Sequence, residues 1–211
     1  MLARDIMTTP VVTVGPRTPV KEAAALLAGH GFTALPVVDT GGGFVGIVTE
    51  ADLVRDRVPR DARALCHPGP ALPTVTTTLV GEVMTTPAVA MGSGTDVAVL
   101  ARALSDAGHR SMPIVDGARL VGIVTRRDIL GVIARDDRAI AEEVRHRLEI
   151  YGGDRRWRVE VHEGMVSIGD RFDGAQRDVD TDRHVVTVLA EAVPGVVNAT
   201  VASFVSAEDG R

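Results

Sequence analysis

"GIVTEAD" runs from Gly46 to Asp52, and "GIVTRRD" runs from Gly122 to Asp128. Only the two letters between Thr and Asp differ. "LPVVDTGGGFV" precedes the first stretch and "MPIVDGARLV" the second. Working outward, the agreement extends upstream. "MTTP" begins at Met7 and again at Met84, a shift of 77, and Thr18/Thr95, Val20/Val97, Leu27/Leu104, Gly31/Gly108 and Pro36/Pro113 keep that shift. Gly46 and Gly122 stand 76 apart because the first copy has one extra residue in "DTGGGF". A match broken by one single-residue gap, placed in a turn, marks an internal duplication.

Each copy reads locally as β-α-β-β-α. "VVTV" (Val11 to Val14) is β-prone. Thr18 with Pro19 reads as an N-cap followed by proline at the first helical position. Val20, Ala23, Ala24 and Leu27 recur at helical spacing, and Gly31 supplies a stop. Two apolar runs around a glycine-containing turn then predict a hairpin, and a second helix starts at Thr49 or Thr125. A unit of about 60 residues buries too little core alone, so the two copies are expected to pack together with pseudo-twofold symmetry. Gly41 to Gly43 is not read as a phosphate loop, because "FVGIV" after it is a strand rather than a helix start.

The Thr-x-x-Asp corner has two readings. Thr as N-cap with an acid at N3 is a capping box. The same corner offers free N–H groups at a helix start, a hydroxyl, and a carboxylate able to accept from vicinal ribose hydroxyls. Gly46 and Gly122 just before it would let a ligand approach the backbone closely.

Composition bounds the partners. The 211 residues are 45% hydrophobic and 24% charged but only 3% aromatic, so the core is built from aliphatic side chains. No apolar run reaches the roughly 18 residues of a membrane helix, and "MLARDIMTTP" has no apolar signal region. The single cysteine, Cys66, cannot form an internal disulfide and fits a reducing cytoplasm; it reads, with His67, as part of a Pro-rich loop rather than a metal site. Residues 1–136 carry 13 Lys/Arg against 13 Asp/Glu, and residues 137–211 carry 10 Arg against 15 Asp/Glu, so the whole net charge of −5 lies in the C-terminal third. A nucleic-acid binder needs basic surface to neutralise phosphates, so no nucleic-acid partner is expected. No Ser-His-Asp order, Cys-His pair or metal-spaced His/Cys cluster stands out; His30, His109 and His146 are scattered. An enzyme is not expected.

The ordered elements "MTTP…VTV…ALPVVD…GIVTEAD", present twice, resemble a CBS domain, and the tandem resembles a CBS pair, or Bateman module. The resemblance covers roughly residues 2–135. It implies a regulatory fold that binds adenosine-containing ligands (AMP, ADP, ATP, S-adenosylmethionine or NAD) in clefts between the copies, and a homodimer. Carried onto this chain, it assigns ribose to Asp52 and Asp128, and ribose or phosphate to Thr49 and Thr125. Adenine is expected against Thr13, Val14, Thr33, Ala34 and Ile123 in the site containing Asp128, and against Ala90, Ser111, Met112 and Ile47 in the site containing Asp52. His109 and Arg110 resemble the family's phosphate-facing pair. The first copy has Phe32 and Thr33 there, so the two clefts are expected to be unequal.

After "LGVIARDD" the pattern changes. Ile140, Val144 and Leu148 mark an amphipathic helix. Trp157, Val159 and Val161, then Glu163-Gly164, then Val166 and Ile168 mark a hairpin. "DVDTDRHVVTVLAEAV" is a helix ended by Pro194-Gly195, and "VVNATVASFV" a strand, giving α-β-β-α-β. The "WRVEVHEGMVSIG" hairpin and the "VPGVVNATV" ending resemble a BON domain, which implies attachment to a protein partner or a membrane. The acidic charge favours a protein partner over anionic lipid. Trp157 is a candidate contact or a core residue; His162 and His184 read as surface. The expected organisation is repeat one at 1–58, a linker at 59–78, repeat two at 79–135, the BON-like domain at 136–206 and a tail at 207–211. The overall class is α/β (α+β). The expected function is a non-catalytic cytoplasmic sensor, free or peripheral to a membrane; the alternative is a structural scaffold with empty clefts.

Overall fold

The structure, a computed structural model, describes residues 1–55, 78–153, 156–170 and 179–203. Most of the expected linker with Cys66 and His67, the last residues of repeat one, and the tail lie outside them. The chain divides into two bodies, residues 2–126 and residues 127–211, the latter grouped with Met1.

In the first body, helix α1 (Val20–His30) precedes a hairpin of β1 (Ala34–Val38) and β2 (Phe44–Thr49), and a short helix α2 (Glu50–Val54) follows. The second copy gives α3 (Val80–Val83), β3 (Met91–Gly92), α4 (Val97–Asp106), β4 (Ser111–Asp116) and β5 (Arg119–Thr125); α5 (Arg126–Ile133) begins at its end. The hairpins are register-equivalent. Ala34 faces Thr49 and Val37 faces Gly46, as Ser111 faces Thr125 and Ile114 faces Gly122. Each has a bulge at the same place, after Val37 and after Ile114. The extra residue of the first copy lies in the turn beyond the bulge. It therefore leaves the inward-facing set unchanged, where a slip inside a strand would turn every side chain over.

The two copies interlock reciprocally. Thr8 donates its N–H to the Ile123 carbonyl (2.9 Å) and accepts back from Ile123 (3.2 Å); Thr85 and Ile47 do the same at 2.8 and 3.2 Å. Each "MTTP" lead-in thus adds to the hairpin of the opposite copy. Val80 donates to the Thr18 carbonyl (2.9 Å), and Ala3 to the Thr95 carbonyl (2.8 Å), so each copy also covers the other's helix start. The core holds Leu27, Leu35, Val37, Val48 and Val80 on one side and Leu100, Leu104, Met112, Ile114 and Val124 on the other, all buried. Each such side chain contributes about 1.5–3 kcal/mol by leaving water.

Two local expectations differ from the structure. "VVTV" forms no strand; only Val14 makes a bridge, to Val37. Thr18 is not the N-cap of α1. Pro19 is, in extended conformation, while the Thr18 hydroxyl accepts from the Gly15 N–H at 3.1 Å. The second copy has the same one-residue offset, with Asp96 as N-cap accepting from Ala98 at 2.7 Å. A short polar side chain one residue before the helix folds onto its own turn, and the pre-helical proline, having no N–H, leaves nothing unsatisfied.

The second body carries α6 (Asp137–Gly152), β6 (Trp157–His162), β7 (Met165–Asp170), α7 (Val179–Glu191) and β8 (Asn198–Ser203). β7 is central, antiparallel to β6 and parallel to β8, with α7 as the crossover. Ile140, Val144 and Leu148 of α6 are buried with Trp157, Val159, Val166, Ile168 and Val186. Glu163 takes a positive φ of 49° at the hairpin turn. Asp137 accepts from the N–H groups of Glu163 (2.8 Å) and Gly164 (3.0 Å), pinning that turn to the start of α6. Trp157 is core, 5% exposed, with the Arg156 guanidinium 4.2 Å from its ring centre. Arg156 also binds Asp170 (2.7 Å) and Asp182 (3.1 Å). Its hydrogen bond to Asp170 comes first among the effects that raise its pKa above the ordinary arginine value, outweighing the cost of burial.

Candidate functional site

The corner after β2 is built by its sequence. Thr49 caps α2: its N–H and hydroxyl both donate to Asp52 Oδ2 (2.9 and 2.8 Å), and the Asp52 N–H donates back to Thr49 Oγ1 (3.4 Å). This is the capping-box reading of Thr-x-x-Asp. Helix α2 has five residues, so few peptide dipoles align behind it, and little positive end charge gathers for an anion. Any ligand here must be held by side chains.

Such side chains converge beside the corner. A cleft of about 580 Å³ opens between the hairpin of the first copy and the start of β4 in the second. That volume is within the roughly 300–1,000 Å³ of small-molecule sites. Thr33, Ala34, Ile47 and Thr49 form one wall, and His109, Arg110, Ser111 and Met112 the other. Register explains the first wall, because Ala34 lies opposite Thr49 on neighbouring strands. The duplication explains the second, since Arg110 and Ser111 are the counterparts of Thr33 and Ala34. Ser111, a residue of this lining, is buried, 8% exposed. Arg110 Nη1 reaches Glu50 Oε2 at 3.2 Å, linking the two walls.

The grouping differs from the one read from sequence. Thr33 and Ala34, assigned there to the Asp128 site, lie on the wall beside Thr49. Ala90 does not line this cleft, whereas its neighbour Val89 does. Asp52 is bonded to Thr49 and is not itself among the residues that line the cleft. Val14 is buried in the core of the first copy, and Thr13 beside it is half-buried. Ile123 pairs with Thr8. Thr125 lies in the first body, which ends at Arg126, and Asp128 lies in the second. The corner glycines serve the interlock. A β-carbon at Gly46 would stand 2.8 Å from the Thr85 carbonyl, and one at Gly122 would run into the Met7 side chain. Their close approach is to the opposite lead-in segment.

Glu50 was missed by sequence reasoning, although it is one of the two letters that separate "TEAD" from "TRRD". Its counterpart Arg126 donates to the carbonyls of His109 (3.0 Å) and Leu104 (2.8 Å), tying the end of α4 to the strand that follows. Val54, Thr85 and Pro87 also line the cleft; the interlock brings the last two there.

The CBS domain family model matches residues 3–58 and 80–135. The chain belongs to the CBS domain family. The uncharacterized protein MJ1404 of Methanocaldococcus jannaschii is 33% identical over 131 residues, a match spanning 61% of this chain and 31% of that protein. The chain thus spans about a third of that relative's length. Among solved structures, CBSX2 in complex with AMP is 27% identical with a TM-score of 0.51, over 62% of this chain and 93% of that one. The CBS domain pair of protein MJ0100, in complex with 5′-methylthioadenosine and S-adenosyl-L-methionine, is 28% identical with a TM-score of 0.51, over 63% of this chain and 98% of that one. Among the described residues, no helix is long and apolar enough to cross a membrane.

Proposed function

We propose that this CBS pair is a non-catalytic sensor that takes an adenosine-containing ligand in the cleft beside Thr49. The observation that carries the reading is the cleft itself: apolar strand residues from both copies beside the side chains of Thr33, Thr49 and Ser111. Adenine lies against Ala34, Ile47 and Met112. Thr49, Thr33 and Ser111 offer hydroxyls to the sugar, and His109 with Arg110 faces the charged tail. Asp52 offers the ribose its Oδ1, since Oδ2 is taken by Thr49. Two solved relatives hold adenosine compounds, AMP in one and S-adenosylmethionine with methylthioadenosine in the other, which supports this ligand class. A ligand touching both copies biases their relative arrangement by its difference in affinity for the alternatives. The C-terminal body, BON-like in its sequence pattern, passes that state to a protein partner or a membrane surface. The chain works in the cytoplasm as a homodimer.

The capping box supports a second reading, a scaffold with empty clefts, because Thr49 and Asp52 already satisfy each other. A thermal-shift panel on the full chain with AMP, ADP, ATP, S-adenosylmethionine, NAD and cyclic dinucleotides separates the two. At 100 times Kd a single-site ligand adds about 2.7 kcal/mol, a rise of several degrees. A rise with an adenosine compound that is lost in Ser111→Tyr, which fills the cleft, supports the sensor. No rise with any compound supports the scaffold.

A further inference from the structure

The charge inside this cleft is divided in a way that bears on which adenosine compound fits. Among the lining residues, Glu50 and Arg110 are the only ones with a full formal charge at neutral pH, and they have opposite signs. They come from different copies and meet across the opening, Arg110 Nη1 to Glu50 Oε2 at 3.2 Å. With side chains 70% and 50% exposed, the pair is a weak, solvated contact that either partner leaves at little cost. The acid has no equivalent at the other corner, where Arg126 stands and is spent on two carbonyls.

A polyphosphate tail placed here gains Arg110 but strips it from Glu50, whose carboxylate then faces the ligand's own negative charge. A tail carrying both a carboxylate and an ammonium exchanges one ion pair for two: carboxylate to the Arg110 guanidinium, ammonium to Glu50. Planar guanidinium–carboxylate pairing is bidentate and directional. We propose that Glu50 and Arg110 together select an adenosyl ligand with a zwitterionic, amino-acid-like tail over adenosine di- and triphosphates. This rests on the adenosine-cleft reading above, and it makes Glu50 the specificity-determining residue.

Calorimetric titration of the full-length chain with adenosine, AMP, ATP and S-adenosylhomocysteine tests it. S-adenosylhomocysteine carries the zwitterion without the sulfonium charge of S-adenosylmethionine. Wild type is expected to bind S-adenosylhomocysteine more tightly than AMP, and AMP more tightly than ATP. Glu50→Gln is expected to weaken S-adenosylhomocysteine and strengthen ATP, moving their affinity ratio by about fivefold to tenfold. Arg110→Gln is expected to weaken both S-adenosylhomocysteine and AMP while leaving adenosine unchanged. Both side chains are exposed, so neither change removes a core contact. ATP binding more tightly than S-adenosylhomocysteine in wild type, or a ratio unmoved in Glu50→Gln, overturns the selection while leaving the adenosine cleft standing. Failure of all four compounds to bind overturns the cleft reading as well.

Discussion

In the first copy the corner after β2 carries Glu50 and Ala51; in the second, the corner after β5 carries Arg126 and Arg127. Around these corners the copies match in strand register, bulge position and lead-in pairing. The comparison separates two kinds of residue. Packing positions such as Gly46/Gly122, Pro36/Pro113 and Leu27/Leu104 stay the same because each meets equivalent surroundings: Gly46 lies against the Met84–Thr85 lead-in and Gly122 against Met7, while Pro36 and Pro113 lie opposite Ile47 and Ile123. The charged positions of the cleft have diverged, Arg110 standing against Thr33 and Glu50 against Arg126, whereas its Ile47 and Thr49 match Ile123 and Thr125. Packing constrains both copies equally, and ligand chemistry does not.

The comparison can be broken first at the core. Leu27→Ala and Leu104→Ala occupy equivalent buried positions, and each is expected to cost about 2–5 kcal/mol. Because the lead-in segments cross between copies, both changes should lower one shared unfolding transition, readable by calorimetry. Two separate transitions, each sensitive to one variant, would mean that the copies fold independently.

Gly46→Ala and Gly122→Ala sharpen it. At Gly46 the added carbon meets the Thr85 backbone carbonyl at 2.8 Å, whereas at Gly122 it meets the Met7 side chain. A backbone carbonyl in a strand bridge cannot turn aside, but a methionine side chain can. Gly46→Ala should therefore cost about 1–3 kcal/mol and Gly122→Ala clearly less, measured as denaturant midpoints.

How much of this was legible in the sequence follows from range. The hairpins and the capping box were readable because they depend on residues within a few positions of one another, and the duplication because the same letters return 76–77 residues later. The crossed pairing of Thr8 with Ile123 and Thr85 with Ile47 was not, because nothing local distinguishes a lead-in strand that pairs at home from one that pairs across. That pairing, in turn, brings Thr85 and Pro87 to the cleft. Ala34, read from sequence into the Asp128 site, lines the cleft beside Thr49, its neighbour across the hairpin, an adjacency that repeat symmetry alone does not display. Glu50 was passed over as a variable letter inside a motif, although a charge reversal between copies was itself a signal. "VVTV" has β-prone composition but finds a single bridge, since the strand edge beside it accepts only Val14.

A smaller effect separates the two bodies. In the second, burial works to raise the Glu143 carboxyl, but hydrogen bonds and charge from Arg135 and Arg147 outweigh it and hold the pKa below the ordinary 4.5. The folded chain therefore prefers the carboxylate, and this contribution, present above that value, fades as the pH falls below it. Glu143→Gln should flatten the acid end of the stability profile of the second body. Denaturant midpoints at pH 7 and pH 3.5 compare the variant with wild type, and an equal acid loss in both would assign the sensitivity elsewhere.

The central claim is that an adenosine sugar and base lie between the first hairpin and the start of β4. A crystal structure of the full chain grown with saturating S-adenosylhomocysteine tests it most directly. The account predicts the base against Ile47 and Met112, the sugar within hydrogen-bonding distance of Thr49 or Ser111, and Arg110 released from Glu50 onto the ligand carboxylate. A ligand seated elsewhere, with the Glu50–Arg110 pair still closed across an empty cleft, would contradict it.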